Sequence, residues 1–195
     1  MKKDIVIAGV GGQGNLFASN VLCQYAMERD CHVVGTETIG AAQRGGSVVS
    51  HMRISDRPIY SPLVPPGRGD ILVGMECLEL LRNMKVLGEG GYYILNLYSV
   101  PTVYTNLGID RYPSEEEIKK AAEKACERGY VISATMKASE LGNIQMTNVV
   151  MLGALSTVDD FFEYDDVKKV IEKITPKGFL EQNLTAYEAG RDLIL

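Results

Sequence analysis

Tryptophan is absent from this chain, histidine occurs twice and cysteine four times. The last two scarcities restrict the chemistry. Cys23, Cys31, Cys77 and Cys126 are spread out with no C-x-x-C pair, whereas iron–sulfur and structural zinc sites draw on closely spaced thiolates. No metal site is expected within the chain, and free thiols in a reducing cytoplasm follow. His32 begins a strand pattern and His51 lies inside another, and neither is patterned with a serine or cysteine nucleophile. No catalytic residue is therefore expected. Basic runs are missing as well: the formal net charge is −5, and nothing supplies the positive charge that a nucleic-acid backbone requires. No apolar run reaches the roughly 20 residues that span a bilayer, and no signal-peptide pattern opens the sequence. Neither nucleic acid nor membrane is an expected partner.

What is present is ordinary in bulk and unusual in detail. A length of 195 residues with 46% apolar and 23% charged residues fits a soluble α/β protein with a sizeable core. Ile5-Val6-Ile7-Ala8 is the short, two-sided apolar run of a strand buried in a parallel sheet, and a helical period from Leu16 to Glu28 follows it. Further strands are expected at 31–36, 48–54, 70–76, 91–97 and 130–134, and helices at 77–86, 114–128, 136–141, 143–155, 165–174 and 178–195. Ser114 and Glu117 stand at capping-box spacing. Ile59 to Leu63 can pair back on the 48–54 strand as a hairpin, and Tyr98 to Gly108 is β-prone. The expected architecture is a single α/β domain over 1–195: a doubly wound, mostly parallel Rossmann-like sheet with helices on both faces and an inserted β-hairpin.

Between the first strand and helix lie Gly9, Gly11, Gly12, Gln13, Gly14 and Asn15. Strand, glycine loop and helix aim free N–H groups and a positive helix end at an anion. Gly9-x-Gly11-x-x-Gly14 fits the dinucleotide fingerprint, and Glu37 lies 23 residues beyond Gly14, near where that fold keeps its ribose-binding acid. Two details weigh against NAD. The residues after Glu37 run into a second glycine-rich stretch, Gln43-Arg44-Gly45-Gly46, and Gln13 is placed to reach out of the first loop. Arg44, set between Gln43 and two glycines, suits a guanidinium held over an acidic ligand or partner group. Glu76, Glu79 and Arg82 read as a solvated or ion-paired helix face. Asn143 reads as a helix cap. Gly69-Asp70 with Asn96 imitates a thiamine diphosphate motif, but Ile71 replaces its glycine, so a Mg²⁺ site is not expected.

Taken together, Gly9-Val-Gly-Gly-Gln-Gly14, Gln43-Arg-Gly-Gly-Ser-Val48, His51-Met-Arg-Ile54, Gly69-Asp-Ile-Leu-Val-Gly-Met-Glu76 and Asn148-Val-Val-Met-Leu-Gly-Ala154 resemble the gamma domain of 2-oxoacid:ferredoxin oxidoreductases. Within that family the small (beta) subunit of the indolepyruvate enzymes is most similar. The resemblance implies oxidative decarboxylation of a 2-oxoacid with coenzyme A, giving an acyl-CoA and electrons for ferredoxin. It places thiamine diphosphate, Mg²⁺ and 4Fe–4S clusters on a large (alpha) partner subunit, with ferredoxin reached indirectly. It makes the two glycine motifs and Arg44 contacts for coenzyme A or for the partner. Ile39 stands where the family often has histidine, which leaves a pyruvate or 2-oxoglutarate gamma subunit as the alternative. From the residues alone, a freestanding NAD-binding enzyme and a homodimer formed through the 143–155 helix remain open.

Overall fold

The computed structural model describes residues 1–38 and 45–194. Gln43 and Arg44 lie outside the described residues. Strand β1 (Lys2–Val10) is central to a six-stranded sheet of order β2-β3-β1-β4-β5-β6, in which β2 is His32–Glu37, β3 Ser47–Ser55, β4 Gly69–Gly74, β5 Leu87–Asn96 and β6 Gly129–Ile132. Because side chains alternate along a strand, Ile5 and Ile7 enter one core cluster while Val6 and Ala8 enter the other. Each of the isoleucine and valine side chains contributes roughly 1.5–3 kcal/mol of burial free energy. Both faces of β1 must therefore be covered.

The covering helices divide accordingly. On one face pack α1 (Asn15–Met27), α5 (Ala134–Glu140), α6 (Thr147–Val158), α7 (Tyr164–Ile174) and α8 (Leu180–Asp192). On the other pack α2 (Cys77–Asn83) and α4 (Glu115–Ala125). The capping box at α4 forms as expected: Ser114 Oγ accepts from Glu117 N at 3.3 Å, and Glu117 accepts from Ser114 N at 2.7 Å. Arg111 pairs with the same carboxylate and holds its pKa down at about 2. Doubly wound α/β architecture is thus observed, with one change in its irregular part.

Strands β1, β4, β5 and β6 are parallel, but β3 runs antiparallel to β1 on one side and to β2 on the other. The inserted hairpin is therefore β2–β3. Ile59–Leu63 does not pair back on β3. Pro58 and Pro62 have no N–H to give a ladder, and the segment instead straps across β3, with Arg53 Nη1 donating to Ser61 O at 3.1 Å and Val64 N donating to His51 Nδ1 at 3.3 Å. The β-prone stretch at 98–108 forms no strand and contains a short helix, α3 (Val103–Asn106). Pro101 cannot extend a ladder, and Thr102 Oγ1 caps the turn by accepting from Thr105 N at 3.2 Å.

The apolar helix expected at 143–155 is α6, preceded by a 3₁₀ turn at Ile144–Met146 that Asn143 caps by accepting from Gln145 N at 3.0 Å. Residues 147–156 are all buried within the chain. That helix has no free face with which to dimerise, which corrects the homodimer route. It is pinned against α8 by two glycines. A Cβ on Gly153 would stand 2.0 Å from Tyr187 O, and one on Gly190 would stand 2.0 Å from Val150 O.

Backbone, not a flexible side chain, blocks these sites. Gly153→Ala is accordingly expected to lower the unfolding free energy by about 3 kcal/mol or more in urea titration, whereas Gly178→Ala, with nothing within 4 Å, stays within about 0.5 kcal/mol. Equal midpoints would refute the helix contact. His51 allows a pH test. Burial lowers its pKa below the ordinary 6.5. The unfolded chain then takes up this proton before the folded one does, so stability present above pH 6.5 declines as pH falls from there toward the depressed value. His51→Gln should flatten that slope in a pH series of urea melts; an identical slope would remove His51 as its source.

Candidate functional site

In an open doubly wound sheet, ligands bind beyond the carboxyl ends of the strands where the winding reverses. Here that point lies between β1 and β4, which pair Ala8 with Gly74. Antiparallel β3 adds something to it, because Val10 at the end of β1 pairs with Ser47 at the start of β3. The second glycine stretch is thereby delivered to the first. Gly11 N donates to Gly46 O at 2.8 Å, and Gly45 N donates to Gly11 O at 3.3 Å. The two motifs form one backbone clasp.

Each glycine has a distinct part. A Cβ on Gly9 would meet Asn15 Oδ1 and Gln13 Oε1 at 2.8 Å, and one on Gly14 would meet Asn148 Nδ2 at 2.3 Å, so both are needed for close approach. Gly12 and Gly45 have φ of +105° and +78° and face open space. They form the exposed backbone of the clasp. Behind them α1 begins after Gly14 with no side-chain cap and no acidic residue in its first turn, so among the described residues no carboxylate of the helix offsets its positive end.

Gln13 does not reach out of the loop, which corrects the sequence expectation. Its Oε1 accepts from Val10 N at 2.7 Å and its Nε2 donates to Met75 O at 3.1 Å, closing the crevice between the β1 and β4 loops. An amide that can satisfy both an N–H and a carbonyl of its surroundings is drawn inward. Asn15 is buried and donates to Val48 O at 3.2 Å, tying α1 to β3, while its Oδ1 has no partner among the described residues. Asn148, from the buried start of α6, donates to Gly14 O at 3.1 Å. Beside it a groove of about 240 Å³ is lined by Phe17, Asn143, Gln145, Asn148, Phe179 and Asn183.

Glu37 is not brought to the clasp. The inserted β3 moves β2 one strand outward, and the Glu37 carboxylate accepts from Ser19 Oγ at 2.9 Å and Ser50 Oγ at 3.0 Å. It also raises the nearby Cys23 thiol, which burial chiefly pushes up to about 11 and so keeps protonated. Glu76 and Glu79 are not a solvated face: they are 1% and 3% exposed. Glu76 caps α2 and accepts from Val100 N at 3.0 Å and from Tyr112, whose hydroxyl pKa is raised by burial and by that bond. Glu79 pairs with Arg82, as the spacing suggested, and accepts from Ser47 Oγ at 2.6 Å.

Asp70 and Asn96 lie at opposite ends of adjacent parallel strands, on the order of 15 Å apart along the strand direction. Asp70 accepts from Asp4 N, and Asn96 bonds Met75 O and Thr135. They cannot share a metal ion. Among the described residues no three His, Cys, Asp or Glu side chains converge as metal ligands; Cys23 and Cys77 sit on different helices, and Cys31 and Cys126 lie outside helices and strands.

Residues 4–193 match the family model described as pyruvate ferredoxin/flavodoxin oxidoreductase. The chain belongs to that family. Among curated relatives, an indolepyruvate oxidoreductase subunit IorB from Pyrococcus horikoshii is 36% identical over 96% of this chain and 93% of its own length. A 2-oxoglutarate synthase subunit KorC from Methanothermobacter thermautotrophicus is 33% identical over 100% of this chain and 96% of its own. In fold, the chain is similar to a 2-oxoglutarate:ferredoxin oxidoreductase from Magnetococcus marinus, with a TM-score of 0.73 at 21% identity, covering 99% of this chain and 31% of that one. This family member thus has the extent of a whole subunit in some relatives and of one part of a longer polypeptide in another.

Met75, Ser47, Glu79 and Asn148 join the site without having stood out as a group in the sequence. For Asn148 the signal was an amide inside an otherwise apolar helix. The closure by Gln13 is directly testable. Gln13→Ala leaves Val10 N without its acceptor and should cost about 1–3 kcal/mol in denaturant unfolding. A change within about 0.5 kcal/mol, as for a solvent-facing side chain, would contradict the inward position.

Proposed function

We propose that this chain is the small subunit of an indolepyruvate, or more broadly arylpyruvate, ferredoxin oxidoreductase, incomplete as a catalyst until joined to its large subunit. The observation that carries the reading is the similarity to an IorB subunit over nearly the whole of both chains, combined with the union of the two glycine motifs in one clasp. Thiamine diphosphate, Mg²⁺ and iron–sulfur clusters belong on the large subunit in this reading, and electrons leave for ferredoxin from there. Consistent with it, the described residues of the site offer backbone N–H groups and a helix end. No helix among the described residues is long and apolar enough to cross a membrane, and the reading places the complex in the cytoplasm.

The clasp fits an anionic group. Gly12 and Gly45 leave room where a Cβ would intrude, and the first turn of α1 carries no acid to repel it. Gly12, Gly14, Gly46 and the first N–H groups of α1 would hold the phosphate end of coenzyme A, with Gly11 and Gly45 closing the clasp behind them and Gln43 and Arg44 completing the contact. Coenzyme A supplies the thiol that accepts the acyl group. Gln13 and Asn15 hold the loop rather than the ligand. A dinucleotide is disfavoured, since Gln13 already fills the crevice and Glu37 is engaged by two hydroxyls. The KorC similarity supports 2-oxoglutarate as the second substrate reading.

The purified chain, mixed with its large subunit, should give indolepyruvate-dependent and coenzyme A-dependent reduction of a viologen dye. Large subunit that reduces the dye equally well without this chain would sink the reading. A preference for 2-oxoglutarate over indolepyruvate in the same assay would move it to the second.

A further inference from the structure

Glu79 is a costly residue for its place. It lies in the first turn of α2, between the buried Cys77 and Leu80, with its side chain 3% exposed. Burying a carboxylate is unfavourable unless its oxygens are bonded, and replacing a buried pair by apolar groups is often neutral or better. Both oxygens are in fact engaged, and toward different parts of the site. Oε2 accepts from Ser47 Oγ at 2.6 Å, across the winding switch from its own half of the sheet. Oε1 accepts from Arg82 on the next turn of α2, whose side chain remains 54% exposed.

Ser47 directly follows the clasp glycines Gly45 and Gly46, so its tether fixes the strand end from which they hang. As a stability device the Glu79–Arg82 pair is weak, since solvent screens a half-exposed guanidinium and holding it in place costs side-chain entropy. As a placement device it is effective. One carboxylate orients the hydroxyl that follows the clasp glycines and, through its other oxygen, a guanidinium that stays half exposed.

We propose that Glu79 is a positioning residue for the glycine clasp, and that Arg82, held by it, is an anion contact on the rim of that site. The inference rests on the coenzyme A reading above and adds to it a cation contributed by α2. Glu79 touches no ligand. It acts through Ser47 on the position of Gly45 and Gly46 and through its other oxygen on Arg82.

In the reconstituted complex with the large subunit, Ser47→Ala and Arg82→Ala are each expected to raise the KM for coenzyme A by about tenfold, with a smaller change in kcat. Ser47→Thr, which keeps the hydroxyl, should restore most of the loss. Glu79→Gln should resemble Arg82→Ala, because an amide can still meet Ser47 but no longer holds the guanidinium by charge. Wild-type KM in both alanine variants, with native circular dichroism, would overturn the proposal. An inactive wild-type complex would defeat the functional reading and leave the positioning role to a second measurement on the isolated chain. There, amide hydrogen exchange at Gly11 and Gly45, followed by nuclear magnetic resonance, should quicken about tenfold in Ser47→Ala, and unchanged rates would overturn it.

Discussion

The antiparallel insertion of β3 between β1 and β2 is the constraint on which the site depends. In a fully parallel dinucleotide fold the second strand lies beside the first, and an acid at its end faces the glycine loop. Here β3 occupies that place, and its start meets the end of β1 at Val10 and Ser47. Two consequences follow together. Glu37 is carried outward to Ser19 and Ser50, and Gly45–Gly46 is carried inward to Gly11. One topological change removes a ribose site and creates a clasp.

Side-chain amides then hold the clasp in place. Gln13 closes the gap to the β4 loop, Asn15 joins α1 to β3, and Asn148 joins α6 to Gly14. Neutral amides supply donors and acceptors at once and leave the field at the start of α1 positive. The acidic groups of this edge are kept from it. Glu76 is committed to the α2 cap, Val100 and Tyr112, and Glu79 to Ser47 and Arg82. Among the described residues, the edge thus turns backbone N–H groups and the start of α1, rather than carboxylates, toward the open side of the clasp.

Much of this was legible in the residues. The two-sided apolar run of β1, the capping box of α4 and the all-round apolar pattern of α6 each reflect a local rule that tertiary context did not override. The pairing of the glycine motifs could be suspected from their composition, but their union depends on strand direction, and period-2 alternation in β3 is the same whichever way it runs. The hairpin partner was misread because Ile59–Leu63 follows a good turn, while the real partner, β2, lies before a loop rich in glycine. Gln13 was misread because exposure of a polar side chain is the usual case, and its two backbone partners come from separate strands. Buried Glu76 and Glu79 were hidden for a similar reason: charged residues at helical spacing are ordinarily solvated, and only the fold places Ser47, Val100 and Tyr112 around them.

The central claim is that the carboxyl edge of the sheet, centred on the clasp, is the face this chain presents to its functional partners. Hydrogen–deuterium exchange mass spectrometry of the chain alone and in complex with the large subunit and coenzyme A tests it most directly. Protection concentrated in peptides covering residues 9–17 and 45–50 is the result the account predicts. Protection confined to the opposite edge, at residues 2–4, 58–68 and 126–129, with the clasp unchanged, would contradict it.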